Sequence, residues 1–437
     1  FGPELVYRGG LRVYTTIDLD LQEQAQCTAR AQVRRLYGED EAIVIQEAVE
    51  NGCTAAQFLP PLRASSVGRD HKVSNGAVVV TRPATGEILA MVGSLDYWNT
   101  DIDGHFNVAA DGQRQPGSSF KPFTYVTLLA QGENAAHTFL DVRRAFQHPT
   151  GYPYVPENYD RKYHGPQRLR LALARSYNIP AVDALALAGV DSVIRTAHRM
   201  GINTLDRGLE YYGLSLTLGG GEVHLLDMVY AFSVFANEGR MCGAPVPESQ
   251  GRAGYRELDP VAILRVEDRA GNVLYEYTQP ESRDILSPQL AYLMNSILSD
   301  RVARWGAFSR PNPLELSNDR PAAAKTGTTN DYKDAWTIGY TPQLAAGVWV
   351  GNSDNSDMKY LAGVTGAAPI WQAVMEYALQ GEESVPFVRP DGLVERAVCA
   401  VSGNLPTGHC PTANELFIPG TEPTEQCNIH QVFRVNR

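Results

Sequence analysis

Gly117-Ser118-Ser119-Phe120-Lys121-Pro122 is the stretch from which the rest of the 437-residue chain can be read. Pro116-Gly117 interrupts the preceding segment. Phe120, Phe123, Tyr125, Val126, Leu128 and Leu129 then recur at helical spacing as far as Gly132. Ser118 is therefore expected at a helix start, with Lys121 one turn on and on the same side. That spacing brings an amine within reach of a hydroxyl, which an activated serine nucleophile requires. The helix N-terminus adds free N–H groups and partial positive charge where an oxyanion would form.

A second Ser-x-x-Lys, Ser356 to Lys359, lies in a polar Asn/Asp/Ser loop without partners and reads as surface. The first copy differs in its company. Ser176-Tyr177-Asn178 and Lys325-Thr326-Gly327-Thr328 follow it in order. Alone, Ser-Tyr-Asn reads as a helix cap or turn, and Lys-Thr-Gly as a strand end. Lysine is scarce, six among the 38 Lys and Arg, and two of the six fall inside these motifs.

Hydrophobic content of 43% with 20% charged residues describes an ordinary folded chain of two or three structural units. The net charge of −11 argues against a broad nucleic-acid footprint. No apolar run is long enough for a membrane span. The chain starts at Phe1 without Met and reads as a processed fragment, with any membrane anchor outside it. Among Cys27, Cys53, Cys242, Cys399, Cys410 and Cys427 there is no Cys-x-x-Cys. The tail cysteines, near His409 and His430, match no standard zinc spacing. Disulfides in an oxidising compartment are the favoured expectation, the pairing left open.

In chain order, residues 1–75 read as a lead-in. It has a strand at Leu11 to Ile17, then a helix capped by Asp18 or Asp20 and carrying Leu21, Ala25, Ala29, Val33 and Leu36 on one face. Ala77 to Thr81 and Glu87 to Val92 form a hairpin around Pro83-Ala84-Thr85-Gly86. Residues 134–239 are mostly helical, with Gly219-Gly220-Gly221 as a plain turn. An inserted hairpin pairs Val261 to Val266 with Val273 to Tyr277. Three strands follow, Ala323 to Thr328, Ala335 to Tyr340 and Leu344 to Val350, with antiparallel neighbours. Ile370 to Leu379 is a closing helix, and the Pro/Gly-rich last fifty or so residues form an appended unit of little periodicity. The fold expectation is α+β, an antiparallel sheet covered by helices. Its divisions are 1–75 (lead-in), 76–382 (main domain) and 383–437 (small Cys-containing unit).

The ordered triplets resemble the motif set of β-lactamases and penicillin-binding proteins. The resemblance is to the transpeptidase domain of class A penicillin-binding proteins. Val13 to Asp18, Pro156 to Asp160, Ala174 to Val182, Phe235 to Gly239 and Lys325 to Tyr340 also look like that family. It extends over essentially the whole chain, tail included.

The resemblance implies a β-lactamase/DD-peptidase-like fold and a serine DD-transpeptidase that cross-links peptidoglycan outside the cytoplasmic membrane. Ser118 would be the nucleophile and Lys121 its base. Ser176 would relay a proton, and Asn178 would orient Lys121 and the substrate amide. Lys325 would supply positive charge. With Thr326 and Thr328 it would also hold the substrate carboxylate, while Gly327 lets substrate lie close. The expected partners are D-Ala-D-Ala donor stems, amine acceptors and β-lactams, with no nucleic acid and no metal or organic cofactor. Full-length members carry a membrane helix and a glycosyltransferase domain, and neither is read here. The alternatives are a DD-carboxypeptidase or a β-lactam sensor using the same site, and a zinc-holding module in the tail. Asp331 and Asp334 are assigned to the loop after the Lys325 motif. No counterpart is found of the glutamate that deacylates β-lactamases, so a penicillin adduct is expected to be long-lived.

Overall fold

The computed structural model describes residues 1–147, 153–208, 211–329 and 331–431. At its centre is a five-stranded antiparallel sheet. Its order is Ala323–Thr328, Asp334–Tyr340, Ala345–Gly351, Asn75–Arg82 and Glu87–Val92. Pairing runs Lys325 opposite Ile338, Ile338 opposite Gly347, and Gly347 opposite Val79. The strand carrying Lys325 is therefore an edge, open to whatever the rest of the chain or a substrate brings to it.

Strand alternation separates two cores. Ala77, Val79, Trp336, Ile338, Tyr340 and Trp349 join one apolar cluster with helices Lys121–Ala130 and Leu225–Ala236. Val78, Val80, Ala335, Ala346 and Val348 join the other, beneath helices Leu19–Leu36 and Gly363–Ala378. Helix on sheet on helix is the α+β arrangement expected from the sequence.

The lead-in helix belongs to this covering layer. Asp18 caps it through Leu21 N–H at 3.1 Å, and Leu21, Ala25, Ala29, Val33 and Leu36 are the face it buries. Its neighbour begins at Gly363, seven residues before the expected Ile370, and carries Pro369 in its interior. Pro369 has no N–H for the carbonyl of Thr365, and Gln32 Nε2 supplies that donor from the lead-in helix at 3.2 Å.

Strand Arg12–Thr15 pairs with Ile263–Glu267, which pairs in turn with Val273–Glu276. The lead-in strand and the inserted hairpin thus form one three-stranded sheet. In the tail, Val394–Cys399 and Thr412–Phe417 form a hairpin that the weak periodicity did not announce. Arg168 and Arg170 converge on its buried Glu415, with Arg168 Nη1 at 3.0 Å and Arg170 Nη2 at 2.5 Å. This ties the tail to the short helix Leu169–Ala174 that leads into Ser176.

Candidate active site

Gly117–Phe120 is a single tight 3-10 turn, and the α-helix begins only at Lys121. Ser118 is thus in the turn before the helix rather than in its first turn. Pro122 fits at the start of the helix because its missing N–H has no intrahelical acceptor there. The turn is held by backbone packed on backbone. A Cβ added to Gly117, whose φ is +55°, would lie 2.6 Å from Thr328 N. A Cβ on Gly327 would strike Pro116 O, and one on Gly219 would strike the backbone of Gly117. Three glycines from distant segments therefore let the turn lie flat against the edge strand. Gly327 already has this structural duty, and the Gly219 turn borders the site. Sequence reading had no signal for either contact.

Lys121 is fully buried while Ser118 remains partly exposed. Lys121 Nζ donates to Ser176 O at 2.6 Å, Tyr177 O at 3.1 Å and Asn178 Oδ1 at 2.7 Å, and lies 3.4 Å from Ser176 Oγ. Burial pushes its pKa well below the usual lysine range, and the charge of Lys325 adds to the effect; Asp141 opposes it. The three carbonyl acceptors favour the ammonium and also oppose it. Lys325 Nζ, likewise buried, donates to Ser176 Oγ at 2.7 Å and Thr326 O at 2.9 Å. Burial, then the charge of Arg304, brings Lys325 down to about 7. Ser176 itself has φ +63°, a backbone strain that its neighbours must hold in place.

They do so through residues outside the triplets. Asn178 Nδ2 donates to Glu157 O at 2.7 Å, which fixes Oδ1 toward Lys121. Asn158 Oδ1 accepts from Asn178 N–H at 2.7 Å. Its amide donates to Asp141 Oδ1 and Oδ2, both at 2.8 Å, and to Lys162 O. His164 Nδ1 lies 2.6 Å from Asp141 Oδ2, and its ring stacks on Tyr177 at 4.0 Å. The Pro156 to Asp160 stretch was singled out in the sequence without a role. Asp141, His164 and Arg304 carried no sequence signal.

Thr326 is buried, and Thr328 Oγ1 accepts from Gly363 N–H at 2.9 Å, leaving its own proton free to donate. Asp334 accepts from Trp349 Nε1 at 2.8 Å, and burial raises its carboxyl to about 6. Thr329 Oγ1 accepts from Asp334 N–H at 3.0 Å, so Asp334 does brace the loop. Asp331 is exposed there, and Asn330 lies outside the described residues. Ser356 and Lys359 are both exposed in a surface loop.

Cys27 and Cys53 form a disulfide. The disulfides expected of the tail cysteines are not formed: Cys399, Cys410 and Cys427 are free thiols, as is Cys242. The sulfurs of Cys399, Cys410 and Cys427 converge on His430, with Cys242 and His409 outside the group.

Ser118, Lys121, Ser176, Asn178 and Lys325 thus come from three distant segments to one place at the sheet edge. Residues 76–376 match the family described as penicillin binding protein transpeptidase domain. Residues 389–432 match that described as penicillin-binding protein 1A, C-terminal domain. Penicillin-binding protein 1A of Aquifex aeolicus is 28% identical over 499 residues, covering 97% of this chain and 61% of that protein. The chain therefore spans less than two thirds of that relative. Penicillin-binding protein 1A from Haemophilus influenzae superposes with a TM-score of 0.75 at 23% identity, over 98% of this chain and 75% of that one. The PonA1 protein from Mycobacterium tuberculosis, solved with penicillin V, gives 0.66 at 23% identity, over 89% and 91%. At that identity the structures speak for the fold. By the match over residues 76–376, this chain belongs to the penicillin-binding protein transpeptidase family.

Proposed function

We propose that the chain is a serine-type D-Ala-D-Ala transpeptidase that cross-links peptidoglycan stem peptides and is acylated by β-lactams. The observation that carries this reading is the hydrogen-bonded set Lys121–Ser176–Lys325 with Asn178, one helical turn from Ser118. Acyl transfer needs a nucleophile, a base, a proton path to the leaving group and an oxyanion site. Ser118 Oγ attacks the penultimate D-Ala carbonyl while Lys121, neutral in part, takes its proton. Ser176, between the two lysines, passes a proton to the departing D-Ala amine. An amine of a neighbouring stem then takes the acyl group and frees Ser118.

Ser118 N–H and Thr328 N–H would face the oxyanion, a role favoured by the close approach of Gly117 to Thr328. Lys325, with the Thr326 and Thr328 hydroxyls, would hold the terminal carboxylate. Substrate would lie along the free edge of Ala323–Thr328 as an added strand. The working divisions are 1–75, 76–382 and 383–437, with the middle segment carrying acyl transfer. The place of action is outside the cytoplasm, in keeping with the Cys27–Cys53 disulfide. Among the described residues no helix is long and apolar enough to cross a membrane.

Intact-protein mass spectrometry after incubation with a penicillin tests the assignment. A single adduct is expected on the wild type and none on Ser118→Ala. An adduct that persists in Ser118→Ala would overturn the choice of nucleophile, and one that disappears within minutes would favour hydrolysis over transpeptidation.

A further inference from the structure

The tail is too small to stand on its own core. Its buried apolar cluster comprises Val398 and Phe417 against Ala136, with Val394 packed on it. A unit of that size needs a covalent or metal cross-link to hold its loops. Three of those loops meet where Cys399 ends its strand. Leu405 N–H donates to Glu425 O at 2.9 Å and Cys427 N–H to Leu405 O at 2.8 Å, while Ala400 N–H donates to Pro411 O at 2.8 Å.

At that meeting point the Sγ atoms of Cys399, Cys410 and Cys427 and a ring nitrogen of His430 all lie within 4.8 Å of one another. Cys399 and Cys427 Sγ are 3.5 Å apart, and His430 Nδ1 is 3.5 Å from the first and 3.2 Å from the second. A tetrahedral zinc with Zn–S near 2.3 Å and Zn–N near 2.1 Å puts its ligand atoms roughly 3.5–3.8 Å apart. The sulfurs also have N–H donors of the kind that steady thiolates: Ser402 N–H to Cys399 Sγ and Thr407 N–H to Cys410 Sγ, both at 3.4 Å. Cys399 and Cys427 are buried, with Cys410 and His430 at the rim. A disulfide between Cys399 and Cys427 would leave Cys410 unpaired and His430 without a role.

We propose that Cys399, Cys410, Cys427 and His430 form a structural site for a thiophilic divalent ion, zinc by ligand type. Three thiols and a neutral imidazole fit it, the thiols releasing their three protons to solvent on binding. The ion would pin the 399–405, 410–411 and 425–430 segments together. It would thereby fix the hairpin whose Glu415 clamps Arg168 and Arg170, a few residues ahead of Ser176. The sequence spacing conceals the site because only Cys427-x-x-His430 is a local pair.

The test uses the whole chain, purified with a mild reductant and no chelator. Elemental analysis should find about one zinc per chain. Cobalt exchange should give the intense thiolate charge-transfer and tetrahedral d–d absorption. Cys410→Ser and His430→Ala should each lower zinc content and alter the cobalt spectrum, while penicillin still labels Ser118. Chelation should lower the melting temperature, and zinc but not magnesium should restore it. Folded, reduced wild-type protein with neither zinc nor a cobalt spectrum would overturn the site, and so would a mapped Cys399–Cys427 disulfide. Zinc retained in full by a Cys399→Ser, Cys427→Ser double variant would overturn it as well. If the single variants misfold, the wild-type cobalt spectrum decides alone.

Discussion

Lys325 Nζ donates to Ser176 Oγ at 2.7 Å, which leaves the Ser176 hydroxyl proton free to turn toward Lys121 Nζ at 3.4 Å. The two lysines therefore have opposite requirements. In the proposed mechanism Lys121 would lose its proton to act as base, and Lys325 would keep its own to polarise Ser176 and meet a carboxylate. Burial favours the neutral form of both, so the working range of the site is set by how far each is displaced.

The pH dependence of acylation follows. As pH rises, more Lys121 is neutral and the rate of penicillin acylation climbs. Above about 7, Lys325 loses its charge and the rate declines. Lys325→Arg stays charged throughout and should lack that decline, whatever its absolute rate. Stopped-flow acylation from about pH 5 to pH 9 would show it. A wild-type profile that keeps rising across this range would refute the assignment of Lys325.

Burial of Lys325 also has a signature in stability. Its folded pKa of about 7 lies below the unfolded value of about 10.4, so between the two the unfolded chain holds more protons. The Lys325 contribution to folding stability therefore rises with pH across that window. Urea denaturation should show the wild type gaining on Lys325→Met from about pH 7 to pH 10. A constant difference between the two proteins would mean that Lys325 is not desolvated.

Asn158 is expected to be as necessary to the site as the motif residues it supports. Replacing it with Ala removes the acceptor for Asn178 N–H and a donor shared by both oxygens of buried Asp141. The cost should be about 2 kcal/mol in urea unfolding. Acylation of the folded fraction should slow roughly tenfold or more as Ser176 and Asn178 lose their seating. Unchanged acylation would show that Asn178 holds its place without Asn158.

The Cys27–Cys53 disulfide joins helix Leu19–Leu36 to the 3-10 turn Thr54–Phe58, and Cys53 packs in one cluster with Ala373 of the closing helix. With the cysteines 26 positions apart in sequence, reduction or the double Ser variant should cost about 3 kcal/mol. The melting temperature should fall while the penicillin adduct still forms at low temperature. Loss of the adduct with folding intact would mean that the lead-in layer also positions the edge strand.

Sheet strands and most helices were legible because alternation and 3.6-residue spacing are local properties. The three motifs stood out only together, by their order and by a resemblance to the family matched over residues 76–376. What the sequence hid was what depends on contact between distant segments. Pro369 led the closing helix to be started too late, since the donor that tolerates it is Gln32, on another helix. The Thr138–Asp141 and Gly165–Arg168 ladder was missed because each strand is only four residues long. The support of Asn178 by Asn158 and Asp141, and the gathering of Cys399, Cys410, Cys427 and His430, have no short-range pattern to read.

Gly219 is the sharpest case, because Gly219-Gly220-Gly221 read as an ordinary turn. Its φ of +91° would strain any other residue, and a Cβ there would also run into the backbone of Gly117. Gly132 supplies the control: its φ is +99°, but a Cβ added to it meets nothing within 4 Å. Both Ala variants should lose roughly 1 kcal/mol or more of stability from the left-handed backbone. Only Gly219→Ala should displace the Ser118 turn, slowing penicillin acylation roughly tenfold to a hundredfold. The comparison separates backbone strain from a collision with the Ser118 turn. Equal acylation by the two variants would show that the turn can yield, and that its contact with Gly219 does not set the position of Ser118.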